Sequence, residues 1–130
     1  MRLPSGSARR YPKPEEYALP ATNGPEMTDS KLAKQASERL QAIADPTRLR
    51  IVDLLLLGEK NVGEIASELG IEIVNVSHHL QVLRLAKVVD NEKRGRFVAY
   101  ILNPEITSTV GKVTTIECGW CRVLVSRGKA

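Results

Sequence analysis

Three residues, Gly70-Ile71-Glu72, separate two stretches of helical periodicity, and this short joint constrains the chain more than any other feature. In the first stretch, Val62, Ile65, Ala66 and Leu69 share one helical face. Asn61 stands at its N-cap position, with Glu64 three residues on as the reciprocal partner. In the second, about residues 73–86, Val76, His79, Leu80, Leu83 and Leu85 form an inward stripe. Asn75, Ser77, His78, Gln81 and Arg84 gather on the other side. Two helices joined this tightly have the spacing of a helix-turn-helix.

Further elements flank the pair. Thr28-Asp29-Ser30 opens an earlier helix with Leu32, Ala36, Leu40 and Ile43 at helical spacing. Asp45-Pro46 reads as an N-cap followed by proline at the first helical position. The helix from Pro46 is expected to bury Leu49, Ile51, Val52, Leu54 and Leu55 before Gly58 stops it. Downstream, Val88-Val89 and Phe97–Leu102 have β character. The turn between them, Lys93-Arg94-Gly95-Arg96, holds a single glycine, a hairpin signal. The expected fold is mainly α with a small β-hairpin (an α+β winged helix-turn-helix).

A length of 130 residues makes one domain with a tail. Five of the seven prolines (Pro4, Pro12, Pro14, Pro20 and Pro25) fall in residues 1–27, which read as a disordered N-terminal tail. Arg9-Arg10 in that tail has a minor reading as a basic arm for DNA. Residues 28–104 carry the winged domain, and 105–130 form a C-terminal extension in which Arg122–Val125 has the character of a short strand. Net charge +4 and pI 9.3 permit a polyanionic partner without requiring one. No window approaches the run of roughly 20 apolar residues that a membrane span needs. The N-terminus lacks an apolar signal core, so a cytoplasmic protein is expected. Two cysteines are too few for a secreted disulfide scaffold.

Three segments, in order and spacing, carry a resemblance: Ala44-Asp45-Pro46-Thr47-Arg48-Leu49-Arg50-Ile51, Val76-Ser77-His78-His79-Leu80-Gln81-Val82-Leu83 and Gly95-Arg96-Phe97-Val98-Ala99-Tyr100. Across about residues 36–102 the chain resembles the ArsR/SmtB family of bacterial repressors. The resemblance implies a homodimer that binds a palindromic operator in double-stranded DNA and is released by a metal ion or another signal. The family's C-terminal helix, often part of its dimer interface, is not apparent here, so Leu32, Ala36, Leu40 and Ile43 become the expected interface stripe. The family's best-known metal site has two cysteines where this chain has Asn61 and Gly63. Its other common site uses histidines and carboxylates near the C-terminus, and no histidine follows His79. Ile73 and Val74 stand where the family usually shows polar residues that approach DNA. Ile73 is expected to pack back onto the domain. Val74 has two readings, packing or contact with a thymine methyl group.

The candidate DNA-binding residues are therefore Asn75, Ser77, His78, Gln81 and Arg84 on the recognition helix and Lys93, Arg94 and Arg96 on the wing. The first set suits base edges and backbone, and the second suits phosphates or the minor groove. The bland alternative for the wing is a solvated turn. His78 and His79 diverge by about 100° around the helix and do not share one ion easily; His79 reads as a packed core histidine. Cys118-Gly119-Trp120-Cys121 has three readings. It is half a site for zinc or another soft metal, completed by a second chain, a reversible disulfide, or two inert thiols. No Ser/His/Asp, paired-carboxylate or phosphate-loop arrangement is visible, so an enzyme is not expected. The rivals to a repressor released by metal or a thiol-reactive signal are a constitutive or partner-controlled winged-helix module and a CxxC thiol-redox protein. The last is disfavoured because the motif lies outside any βαβ pattern.

Overall fold

The computed structural model describes residues 29–119 and 121–126; the expected tail, 1–27, lies outside them. Helices α1 (Ser30–Ile43), α2 (Pro46–Leu55), α3 (Val62–Leu69) and α4 (Ile73–Leu85) come first, with a two-residue strand β1 (Lys60–Asn61) before α3. The hairpin β2 (Val89–Arg94) and β3 (Phe97–Leu102) follows, then β4 (Thr107–Val110), β5 (Val113–Glu117) and β6 (Arg122–Ser126). Strand β1 lies antiparallel on β3, giving the order β1-β3-β2; β4-β5-β6 is a second antiparallel sheet.

The helix starts follow from their caps. Asp29 accepts from the Lys31 and Leu32 N–H groups. Asp45 accepts from Arg48 N–H, with Pro46 at the first helical position. Asn61 and Glu64 make both bonds of a capping box. Gly70 closes α3 at φ 67°, a left-handed conformation that a β-carbon resists. Helix α4 closes differently. Lys87 N–H donates to the Arg84 carbonyl and Val88 N–H to that of Leu83. This is a Schellman closure with lysine, at φ 65°, where glycine is usual. Asn103 holds the corner by donating to the Lys87 and Val88 carbonyls.

Ile51, Val52, Ile65, Val76, Leu80, Leu83 and Val88 form the buried centre, joined by Ala36, Ala42 and Ile43. Four sequence expectations are corrected here. Leu49 is exposed, because α2 turns Ile51, Val52 and Leu55 inward instead. Leu85 is exposed because it lies opposite Val76, Leu80 and Leu83, and Ile73 is exposed as the first residue of α4. Ala36 and Ile43 are buried within the chain, which leaves only Leu32 and Leu40 of the α1 stripe facing outward to any degree.

The segment after Pro104 is the larger difference: the described fold holds two three-stranded sheets where one small hairpin and a short strand at Arg122–Val125 were expected, and of the second sheet only that strand, β6, forms as read. Thr114 and Ile116 of β5 point inward beside their β6 partners Val125 and Val123. Ile116 and Cys118 are wholly buried in the same cluster as the helices. Arg39 on α1 donates to the Glu117 carbonyl at 3.0 Å, tying the second sheet to the first helix.

Candidate nucleic-acid interface

The outer face of α4 is polar at its middle and apolar at its ends. Val74, His78, Gln81 and Leu85 fall in line at i, i+4, i+7 and i+11, opposite Val76, Leu80 and Leu83. Asn75, Ser77, His78, Gln81 and Arg84 are all exposed, as their spacing predicts. Ile73 and Val74, at the start of the helix, are 57% and 75% exposed. Small polar side chains with two apolar ones at the N-terminal end can meet base edges without a bulky obstruction.

Arg48 sets where that face points, and sequence periodicity did not single it out. Its Nε donates to the Ala42 carbonyl at 2.5 Å, Nη2 to that of Gln41 at 3.3 Å, and Nη1 lies 3.3 Å from Nδ1 of His79. One guanidinium thus joins the end of α1, the start of α2 and the middle of α4. His79, expected as a packed core histidine, is only partly buried and is held by this polar contact as well as by packing. Asp45 Oδ2 is 4.0 Å from the same imidazole nitrogen. The Arg48 backbone N–H holds the Asp45 carboxyl below its usual pKa. The Arg48 and His79 charges act in the same direction, and desolvation opposes them. The available signal was position: Arg48 is the third residue of a helix whose N-cap is Asp45.

The wing differs from its expectation in one respect. Lys93 and Arg94 are the last residues of β2, paired with Val98 and Phe97, and only Gly95-Arg96 forms the turn. Gly95 has φ 61°, so a glycine at the first turn position suits a tight primed hairpin. Arg94 is committed: its Nε meets Glu59 at 3.2 Å and its Nη2 meets Glu92. Among the described residues, Lys93 and Arg96 make no ion pair, which leaves them as the wing's unmatched cations.

The two thiols sit in unlike surroundings. Cys118 is buried and Cys121 exposed, and Cys118 N–H donates to the Cys121 carbonyl at 2.9 Å across the β5–β6 turn. Burial, then the neighbouring Cys121 thiol, pushes the Cys118 pKa up to about 11. It therefore stays protonated at neutral pH. Beside the turn, Arg122 Nε meets Glu117 at 2.5 Å. Among the described residues no three His, Cys, Asp or Glu side chains gather as a metal site. Two thiols, one of them buried, are two ligands short of a tetrahedral zinc centre. No helix among the described residues is long and apolar enough to cross a membrane.

Comparison with known proteins agrees with this geometry. The arsR family of bacterial regulatory proteins matches residues 45–91. The transcriptional repressor SdpR of Bacillus subtilis is 41% identical over 66 residues, covering 51% of this chain and 73% of SdpR. HlyU from Vibrio cholerae shares the fold with a TM-score of 0.54 at 35% identity, over 57% of this chain and 80% of HlyU. The homodimeric winged helix-turn-helix DNA-binding domain of Mb0332 from Mycobacterium bovis gives a TM-score of 0.58 at 30% identity, over 65% of this chain and 78% of that one.

Proposed function

The chain belongs to the ArsR family of bacterial regulatory proteins, a family of transcriptional regulators and not of enzymes, and from that premise we propose a homodimeric, sequence-specific DNA-binding repressor. The observation that carries this reading is the exposed polar column of α4 beside two unmatched wing cations, Lys93 and Arg96. In it, α4 enters the major groove with Asn75, Ser77, His78, Gln81 and Arg84 toward bases and backbone. The wing lies on phosphates or in the minor groove. Arg94 braces the wing against Glu59 more than it meets DNA. Two copies read a palindromic operator whose half-sites lie roughly 10 bp apart or a multiple of it. The homodimeric Mb0332 domain supports that assembly. Such a regulator works in the cytoplasm.

A salt titration on a duplex enriched from a random library tests the DNA reading. Lys93→Ala and Arg96→Ala should each flatten the slope of log affinity against log salt by roughly 0.9 for a lost phosphate contact. Arg94→Ala should flatten it less, because Glu59 and Glu92 already match that charge. A wild-type affinity indifferent to salt removes duplex DNA as the partner.

The releasing signal in this proposal is thiol-directed and acts at Cys118 and Cys121. Exposed Cys121 meets the reagent, and buried Cys118 closes the disulfide within one chain. The two thiols give up two protons and two electrons to hydrogen peroxide, which leaves as two waters. A soft metal ion would need donors beyond this pair, and the burial of Cys118 disfavours sharing it with a second chain. Peroxide should release the wild type from DNA and leave Cys118→Ser/Cys121→Ser bound, with zinc as the comparison arm. Equal behaviour of both proteins leaves a constitutive or partner-controlled module.

A further inference from the structure

We infer that Ile73 and Val74 form an apolar reading head that selects operator half-sites carrying thymines, through their 5-methyl groups, at the positions facing the start of α4. The inference rests on the DNA-binding reading above and names the base chemistry that the same helix recognises.

Several observations converge on these two side chains. Val74 is 75% exposed and Ile73 57%; other apolar side chains such as Leu57, Leu85 and Val110 are also exposed, but these two are adjacent and open the recognition helix. Val74 stands at the N-terminal end of the outer column, in line with His78 and Gln81, so it faces whatever those residues face. Ile73 lies to its side. Both belong to the first turn, and recognition helices contact base edges with their N-terminal residues. Each is β-branched, so its side chain holds one χ1 rotamer in a helix and loses little freedom on contact. Neither has a hydrogen-bond donor or acceptor to offer. Pressed into a major groove, they would leave the exposed polar atoms of guanine, cytosine or adenine without a partner, which is costly. The thymine methyl is the one apolar group that the major-groove edges present. A polar residue here would read a base through its hydrogen-bonding groups; Ile and Val have only the methyl group to read.

The test uses the full chain and a duplex enriched by it from a random library. Each thymine of a half-site is replaced in turn by deoxyuridine, which lacks only the 5-methyl group, and affinity is measured at fixed salt. One or two thymines per half-site should lose about fourfold in affinity for each methyl removed, the magnitude of one buried methyl-sized group. Val74→Ser and Ile73→Ser, both at exposed positions, should bind the thymine duplex more weakly and respond less to the deoxyuridine exchange. Circular dichroism confirms that they are folded. Wild-type affinity that is unchanged by every exchange overturns the inference, as do serine variants with full thymine discrimination. Either result leaves sequence-specific binding standing. If the wild type enriches no sequence at all, both this inference and the regulator reading fall.

Discussion

Ile116→Ala is expected to lower the free energy of unfolding by about 2–5 kcal/mol, the range for truncating a large aliphatic side chain in a closed core. Ile116 has no exposed surface and lies on β5, the middle strand of the second sheet, in one cluster with Ile51, Leu80 and Val88. The residue that follows it is fixed twice: Glu117 N–H donates to the Ile106 carbonyl, and the Glu117 carbonyl accepts from Arg39 on α1. The side chain cannot relax into solvent without opening that seam. Val110→Ala, at an exposed site on β4, should change stability by no more than about 0.5 kcal/mol. Denaturant unfolding of both variants makes the comparison. A single transition, shifted strongly by Ile116→Ala alone, means that the second sheet and the helices unfold as one unit. Two separate transitions would make residues 105–126 an appendage.

The legible parts of this fold were those that announce themselves within a few residues. Asn61 with Glu64, Asp45 with Pro46, and Gly70 after Leu69 each fix a helix end by local chemistry, and each forms as read. In the second sheet only β6, with its Arg122–Val125 run, gives such a signal. The sheet's strands are four or five residues long, too short for a period to emerge. One inward position is Thr114, which looks polar in sequence and is satisfied by the Thr109 hydroxyl at 2.8 Å. Strand β2 is similar. Asp90-Asn91-Glu92-Lys93-Arg94 has poor strand propensity and is extended because it pairs along all of β3. Ile73 and Leu85 were misplaced for the opposite reason. Apolar residues in a helix read as core, and only the fold reveals that Leu85 lies on the outer face of α4 and that Ile73, in its first turn, is exposed. The polar members of the candidate interface were found because small polar residues on one helical face are a periodic pattern. Arg48 was missed because its importance lies in the reach of a long side chain across three helices.

That reach yields the other large effect expected. Arg48→Ala should weaken binding to an enriched operator by about tenfold, or roughly 1.4 kcal/mol, while binding to unrelated duplexes changes little. Non-specific binding rests on phosphate contacts such as those proposed for Lys93 and Arg96, which the substitution leaves in place. Specific binding needs the α4 side chains to arrive at fixed positions, and Arg48, with the longer Asp45–His79 contact beside it, links α4 to the α1–α2 joint. Stability should also fall, by about 1–3 kcal/mol, because the Ala42 carbonyl loses its Arg48 donor and the Gln41 carbonyl keeps only the Ala44 N–H. The His79 variants separate the two effects, since they leave those carbonyls paired. His79→Asn can offer its amide oxygen near the place of Nδ1 and keep the Arg48 contact; His79→Leu fills the space without an acceptor. Operator affinity should therefore rank wild type and His79→Asn together, above His79→Leu and Arg48→Ala, at a temperature where all four are folded. Arg48→Lys should fall with the weaker pair, because a single ammonium cannot span the three acceptors that the guanidinium fork reaches. Should His79→Leu bind the operator as tightly as wild type, Arg48 serves only to fasten α1 to α2, and packing of Val76, Leu80 and Leu83 alone orients the recognition helix.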